Sequence, residues 1–399
     1  MKRIFKDQVR EGNPCMRFAR MVALFSLLVI PAAAAFGQPA AKTPISPKFV
    51  PGAVWPDTDG KPINAHGGGI LFHEGVYYWY GEFKSGKTFL PDCNKSWGGT
   101  RVDVVGVSCY SSTNLYDWKD EGIVLPAVAG NPQSDLSPGK AVERPKVIYN
   151  QSTKMFVMWM HIDTASYAAA RCGVAVSKTP TGPFTYLGSF RPDAGVWPEN
   201  ATAADQQASE TNILARDFEK GQMARDLTVF VDDDAKAYIF YSSEENPTMH
   251  VSLLTDDYLR PAGKYQRIFI GRNMEAPTVF KRGGKYYAIL SGCSAWDPNA
   301  ARSAVADNIF GPWKELGNPC IGADADKTFR AQSTFVLPVQ GQNGTFIFMA
   351  DRWNQWDLPD SRYVWLPLEF SAAGDPILRW HDQWSLESNQ KTALQASQP

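Results

Sequence analysis

The chain has 399 residues, a formal net charge of −1 and 13% aromatic residues, among them 13 tryptophans. The near-neutral charge excludes a strongly basic nucleic-acid-binding protein. The many aromatic residues have two explanations that the sequence does not separate: packing between the sheets of a β-rich fold, or stacking on the C–H faces of sugars.

The N-terminus has the features of an export signal. Basic residues up to Arg20 precede an apolar stretch at 21–30, which a run of alanines and Gly37 follow. We therefore expect residues 1–37 to be a signal peptide, residues 38–50 to be a short linker, and the mature protein to be secreted or periplasmic. The apolar stretch is short for a bilayer, so we predict no membrane span after signal cleavage, with a retained anchor as the alternative.

A β-hairpin pattern recurs five times along the rest of the chain. In each case an apolar run, a polar or Gly-rich turn and an aromatic run follow one another, and further strand patterns come after each hairpin. Degenerate all-β repeats of this kind predict an all-β fold, a single five-bladed β-propeller over residues 51–390 with four antiparallel strands per blade. Two long polar segments, 83–103 and 191–222, interrupt the pattern and are expected to form functional rims or to be disordered.

The cysteines and histidines give little sign of a metal. Five cysteines remain after the signal: Cys93, Cys109, Cys172, Cys293 and Cys320. Cys93 and Cys109 lie in one insertion and can form a disulfide in an oxidising compartment, and buried free thiols are the alternative. No cysteine or histidine spacing matches a set of metal ligands, so we predict no catalytic metal.

One polar residue directly precedes the first strand of every hairpin. These residues are His66, Glu143, Asp226, Glu275 and Gln332. Because the first strands of a propeller line its central channel, we expect the five side chains to meet at one channel mouth. Hydrolysis of a glycosidic bond needs an acid and a group that activates water. We predict that Glu275 is the acid and that the neighbouring Asp226 raises its pKa.

Three features resemble glycoside hydrolase family 43 over about residues 66–380. They are the five-bladed pattern, the segment Arg-Asp-Leu-Thr-Val-Phe-Val-Asp-Asp-Asp at 225–234 and Glu-Ala-Pro at 275–277. The resemblance implies an inverting glycosidase with Glu275 as the acid and Asp226 as its tuning residue. The family places an Asp base at the start of the first blade, whereas this chain reads Asn-Ala-His-Gly-Gly at 64–68.

The missing Asp resembles one branch of that family, the exo-β-1,3-galactanases. In that branch a Gln at the start of the fifth blade is proposed to handle the water, and a Glu at the start of the second blade contacts the sugar. Gln332 and Glu143 match these positions. A neutral amide is a poor base, so Gln332 must act through its imidic acid tautomer or only orient the water. Glu143 as the base stays an open alternative.

Other predicted substrate contacts follow the second strands or lie in nearby loops. They are Glu82, His161, Trp296 and Trp353, together with His66, and for each of them packing is an equally good explanation. No cofactor is predicted, although the wider family includes proteins with a structural calcium in the channel.

The predicted function is that of an exported glycosidase that releases galactose from β-1,3-galactan, the backbone of arabinogalactan. The partner is therefore a polysaccharide or oligosaccharide. An α-L-arabinofuranosidase or β-xylosidase of the same family is one alternative, and a non-catalytic carbohydrate-binding propeller is another. The pairing of Glu275 with Asp226 argues against the last, since a lectin needs no tuned acid.

Overall fold

The computed structural model describes residues 47–388. The predicted signal peptide, Cys15 and residues 38–46 of the predicted linker lie outside that range. Within it, the strands form five sheets that follow one another along the chain.

The first sheet comprises β1 (His66–His73), β2 (Val76–Lys84), β3 (Val104–Ser112) and β4 (Lys119–Pro126). The second comprises β5 (Ala141–Asn150), β6 (Met155–Asp163), β7 (Arg171–Ser177) and β8 (Thr185–Phe190). The third comprises β9 (Leu227–Val231), β10 (Ala237–Ser243), β11 (Thr248–Leu254) and β12 (Pro261–Ile268).

The fourth sheet comprises β13 (Met274–Arg282), β14 (Lys285–Gly292), β15 (Arg302–Ala306) and β16 (Lys314–Gly317). The fifth comprises β18 (Gln332–Pro338), β19 (Phe346–Arg352), β20 (Arg362–Phe370) and β21 (Pro376–Arg379). A two-residue strand, β17 (Cys320–Ile321), adds to the fifth sheet by pairing parallel to β21. The helices are short: α1 (Ile213–Arg216) and 3₁₀ turns at Asp92–Asn94, Ala325–Arg330 and Leu358–Asp360.

The first strands of the five sheets contact one another in a closed ring: β1 with β5, β5 with β9, β9 with β13, β13 with β18, and β18 with β1. Within each sheet the four main strands are antiparallel and lie in sequence order. The prediction of a five-bladed β-propeller is therefore confirmed.

The hydrophobic core consists of five clusters, each between two neighbouring blades. Trp79 and Trp365 pack between the first and fifth blades, and Trp159 packs between the second and third. These three side chains and Trp118 are each less than 2% exposed. Packing between blades therefore explains these tryptophans, and the sugar-stacking explanation applies only to those near a cavity.

The two ends of the described chain meet beside the first and fifth blades. Phe49, which falls within the predicted linker, is 1% exposed. Its backbone exchanges two hydrogen bonds with that of Trp384, with N···O distances of 2.8 and 3.0 Å. The two rings stack at 4.4 Å between centroids. The contact between residues 49 and 384 thus joins the two ends of the described chain at the edge of the propeller.

The five cysteines of residues 47–388 are all free thiols. The alternative of a buried free thiol describes Cys109, whereas Cys93 is a free thiol at an exposed position. None of the helices in the described range is long and apolar enough to cross a bilayer.

Candidate active site

A cavity of about 370 Å³ receives polar side chains from all five blades. Seven of the residues singled out from the sequence line it: Glu82, Glu143, Asp226, Glu275, Trp296, Gln332 and Trp353. The propeller thus brings together residues that are up to 271 positions apart in the chain.

β-Bulges place several of these side chains. The pairing register shifts directly after Glu143 in β5 and directly after Glu275 in β13. Arg144 and Ala276, which follow these glutamates, have φ of 54° and 51°. A proline comes next in both blades, and it removes no ladder hydrogen bond because the bulge leaves that position unpaired. The Glu-x-Pro sequence is therefore the local signal of a bulge that turns the glutamate toward the axis.

Glu275 has the environment of a carboxylic acid that stays protonated. Burial, together with the Asp226 carboxylate, raises the pKa of Glu275 to about 8, against the opposing effect of the Arg144 guanidinium. Asp226 is held next to it because its Oδ2 accepts a hydrogen bond from the backbone N–H of Ala276 at 3.0 Å. A carboxyl group with such a pKa carries a proton at neutral pH and can donate it to a leaving oxygen.

Arg144 is a central residue that the sequence analysis did not single out. Its Nη2 lies 3.0 Å from Asp226 Oδ2 and donates a hydrogen bond to Gln332 Oε1 at 2.5 Å. Its Nη1 donates to the carbonyl oxygen of Ser333 at 3.0 Å. One guanidinium therefore joins the second, third and fifth blades. In a regular strand neighbouring side chains point to opposite faces, and only the bulge brings Arg144 to the site beside Glu143.

The Gln332 amide is fully engaged with protein groups. Its Nε2 donates to Glu275 Oε1 at 3.0 Å and to Ser291 Oγ at 3.1 Å. Its Oε1 accepts from Arg144 and from Trp353 Nε1, at 2.5 and 2.9 Å. An amide offers two donors and two acceptor lone pairs, so all four are used.

These contacts bear on the water-activating role expected for Gln332. An inverting glycosidase separates its acid from the water-activating group by roughly 6.5–9.5 Å. Gln332 Nε2 instead lies 3.0 Å from Glu275 Oε1, which is much shorter than this separation. An incoming sugar must displace this hydrogen bond before the amide can hold a water.

Glu143 is a strongly ionised carboxylate. Its Oε1 accepts a hydrogen bond from the Tyr167 hydroxyl at 2.6 Å, and its Oε2 lies 3.3 Å from His161 Nδ1. Burial disfavours its charge, but His161, Lys84 and Tyr167 outweigh burial and lower the pKa of Glu143 to about 2. Such a group can accept hydrogen bonds from sugar hydroxyls or accept a proton from water.

His161 and His66 lie behind the cavity wall. Each is 1% exposed, and neither lines the cavity. His161 Nε2 is 3.0 Å from Asp163 Oδ2. Burial disfavours its charge, but Asp163 and Glu143 together raise the pKa of His161 to about 10. His66 Nδ1 is 3.6 Å from Asp351 Oδ1.

The expectation that these two histidines contact the sugar therefore needs correction, because both are buried, neither lines the cavity, and each has a protein carboxylate within 3.6 Å of a ring nitrogen. Hydrophobic periodicity cannot distinguish a strand-end histidine that faces the cavity from one that supports a neighbour. His161 acts on the site through Glu143, which it holds in place and in the charged form.

Aromatic side chains form part of the cavity wall. Trp296 and Trp353 lie 5.2 Å apart between ring centroids. Trp97, which the sequence analysis did not single out, also lines the cavity and is 45% exposed. Its ring meets that of Tyr167 edge-on at 5.7 Å. Trp97 belongs to the polar segment 83–103, which agrees with the expectation that this segment forms a rim.

One group in the described range brings possible metal ligands together: Glu143, His161 and Asp226. Its donor chemistry does not fit a cation, because His161 is held in the charged form between two carboxylates and Arg144 already pairs with Asp226. The prediction of no cofactor, with a structural calcium in the channel as the alternative known from the wider family, is not tested by this geometry.

Comparisons with known proteins complete the description of the site. A sequence model of glycosyl hydrolases family 43 matches residues 72–348. No curated protein sequence matches the chain.

Several solved structures resemble the chain. A β-1,3-galactosidase of GH43, solved with galactodeoxynojirimycin, is 46% identical with a TM-score of 0.78, covering 85% of this chain and 100% of that one. An exo-β-1,3-galactanase from Phanerochaete chrysosporium, solved with galactose, is 33% identical with a TM-score of 0.69, covering 86% and 69%. An exo-β-1,3-galactanase from Clostridium thermocellum is 39% identical with a TM-score of 0.69, covering 84% and 66%.

Proposed function

Because the chain belongs to glycosyl hydrolases family 43, we propose that it is an exported, exo-acting enzyme that releases galactose from β-1,3-galactan. The observation that carries a glycosidase activity is the protonated Glu275 beside Asp226 in a cavity built by all five blades. The galactan substrate is supported by the similar β-1,3-galactosidase and exo-β-1,3-galactanase structures. Support for export comes from the N-terminal sequence alone.

In the proposed reaction Glu275 gives its proton to the glycosidic oxygen as the bond from that oxygen to C1 of galactose breaks. Water attacks C1 from the opposite face, so the product has the inverted anomeric configuration, and the proton that this water loses passes to bulk solvent. The Arg144 guanidinium, paired with Asp226, keeps that carboxylate beside Glu275. After each turnover Glu275 takes up a proton from solvent, which regenerates the acid.

For the attacking water we propose that Gln332 orients it rather than removes its proton. The imidic acid tautomer carries a hydrogen on Oε1, but that atom already accepts hydrogen bonds from Arg144 and Trp353. These two donors stabilise the ordinary amide. Glu143, ionised over the neutral pH range, is the competing base.

A substrate panel tests the proposed function. The enzyme is incubated with aryl β-D-galactoside, aryl α-L-arabinofuranoside, aryl β-D-xyloside and β-1,3-galactan, and the released sugars are separated by chromatography. We expect galactose from the first and last substrates. Preferential release of arabinose or xylose would support the alternative activities of the same family. Binding of galactan without any turnover would support a carbohydrate-binding propeller.

The pH dependence follows from the raised pKa of Glu275. The acid works only while protonated, so kcat/KM on β-1,3-galactan should be sustained below about pH 8 and should fall as the pH rises through that value. Asp226→Asn removes the negative charge that favours the protonated form, and the alkaline limb should therefore move to lower pH. Asp256→Asn, at an exposed position in the same blade, is the matched control. An alkaline limb that stays in place in Asp226→Asn would contradict the tuning role.

A further inference from the structure

A second groove, of about 1050 Å³, adjoins the cavity and has no part in the reaction proposed above. It shares Ser166, Tyr167 and Arg225 with the cavity lining, so the groove lies directly beside the cavity. Its walls come from the second blade, from the polar segment 191–222 and, through Arg225 and Glu245, from the third blade. A sugar chain whose end occupies the cavity can therefore extend a branch into this groove.

The groove is strongly basic. It is lined by five cationic side chains and two carboxylates: Arg171, Arg191, Arg216, Lys220 and Arg225 against Asp217 and Glu245. The positive charges thus exceed the negative ones by three. Since the whole chain has a formal net charge of −1, this excess is a local property of the groove.

The two carboxylates are already committed to three of the cations. Asp217 lies 2.8 Å from Arg216 Nε and 3.4 Å from Arg191 Nη1. Glu245 lies 2.9 Å from Arg225 Nη2 and 3.4 Å from Arg216 Nη2. The paired cations therefore contribute little net attraction.

Arg171 and Lys220 differ from the other three. Both side chains are exposed, and neither makes an ion pair or a side-chain hydrogen bond with another residue of the described range. An unpaired guanidinium and an unpaired ammonium that face one concave space are suited to an oxyanion, because each offers several N–H donors.

The wall that carries Lys220 is held in place before any ligand arrives. At the start of segment 191–222, Asp193 accepts hydrogen bonds from Tyr241 at 2.6 Å and from Ser252 at 2.5 Å. At its end, the backbone N–H of Gln222 donates to the carbonyl of Pro192 at 2.7 Å. Little ordering of this segment is then needed on binding.

We propose that this basic groove binds an anionic unit carried on a branch of the galactan, either a uronate carboxylate or a sulfate ester, with Arg171 and Lys220 as its ligands. The inference rests on the proposed function, since it assumes a galactan end in the adjoining cavity. A neutral branch gains nothing from three excess positive charges, whereas a sugar oxyanion gains charge-assisted hydrogen bonds.

The test compares three branched β-1,3-galactan oligosaccharides. The first carries a branch that ends in glucuronate, the second is the same compound after reduction of its carboxyl group, and the third carries a sulfate ester on the branch instead. We expect kcat/KM for at least one anionic compound to exceed that for the reduced one by roughly three- to ten-fold. The preference should shrink in about 0.5 M NaCl, which screens exposed charges.

A double variant assigns the effect to the groove. Arg171→Gln with Lys220→Gln should abolish the preference and leave kcat/KM on the reduced compound unchanged. Lys314→Gln removes an exposed charge from the fourth blade and should keep the preference. Carboxylate preference alone would identify a uronate, and sulfate preference alone would identify a sulfate ester.

Two results would overturn the inference: equal kcat/KM for all three compounds in the parent enzyme, or an undiminished preference in the double variant. Hydrolysis of unbranched β-1,3-galactan is measured in parallel. If this substrate is not hydrolysed, the proposed function is refuted, but anion binding by the groove is not. In that event the same comparison is made with Kd from calorimetry, and equal Kd values would then refute the groove.

Discussion

Glu275→Gln should lower kcat on β-1,3-galactan by roughly 10²–10⁴-fold, because glutamine cannot supply the proton that the leaving oxygen needs. The parent side chain, with a pKa of about 8, is neutral at pH 7, as glutamine is, so folding and substrate binding should be retained. Steady-state kinetics on galactan, combined with calorimetric binding of an oligosaccharide, measure both effects.

The choice of leaving group separates acid catalysis from other roles of Glu275. An aryl galactoside with an acidic phenol needs little protonation, so its kcat should fall much less than that for galactan. Glu369→Gln changes a half-buried glutamate of β20 that does not line the cavity, and it serves as the control. Equal losses on galactan and on the aryl galactoside would contradict the assignment of Glu275 as the acid.

Gln332→Ala should lower kcat on galactan by roughly 10²-fold if its amide orients the attacking water. The variant also removes the hydrogen bond to Glu275, which itself lowers the pKa of that group. We therefore expect the alkaline limb to move to higher pH while the plateau falls. A shifted limb with a near-normal plateau would show that Gln332 acts only on the acid.

The variant Glu143→Ala distinguishes between the two roles open to Glu143, which are contact with the sugar and removal of a proton from water. If Glu143 only contacts the sugar, the variant should mainly raise KM, and azide or formate should not restore kcat. If Glu143 removes the proton from water, the variant should be almost inactive, and these small anions should rescue it by replacing the lost carboxylate. Rescue of Glu143→Ala together with a normal plateau in Gln332→Ala would transfer the water-activating role to Glu143.

Local sequence patterns were sufficient to predict the fold and seven of the residues that line the cavity. A hairpin is a short-range structure, and the ring of first strands sets the position of a polar residue near the start of each one. Four of the five polar residues lie inside the first strands, and only Asp226 precedes its strand, β9. Glu143, Asp226, Glu275 and Gln332 accordingly reach the same cavity. The roles assigned to these residues stay predictions.

Other features depend on long-range contacts that no local pattern carries. Arg144 reaches the site only because a bulge follows Glu143, and its partners Asp226 and Gln332 are 82 and 188 residues away in the chain. The direct contact between Gln332 and Glu275 has the same origin, since it joins two blades. His161 looked like a sugar ligand because its strand position alone does not show that the carboxylates of Asp163 and Glu143 lie 3.0 and 3.3 Å from its two ring nitrogens.

The most direct test of the central claim is proton NMR of the parent enzyme acting on a β-1,3-galacto-oligosaccharide, recorded before the product anomers equilibrate. We predict galactose as the only monosaccharide, released one unit at a time, with the α-anomer appearing first because a β-linkage is hydrolysed with inversion. Early release of the β-anomer, internal cleavage into longer fragments, or the absence of free galactose would contradict the account.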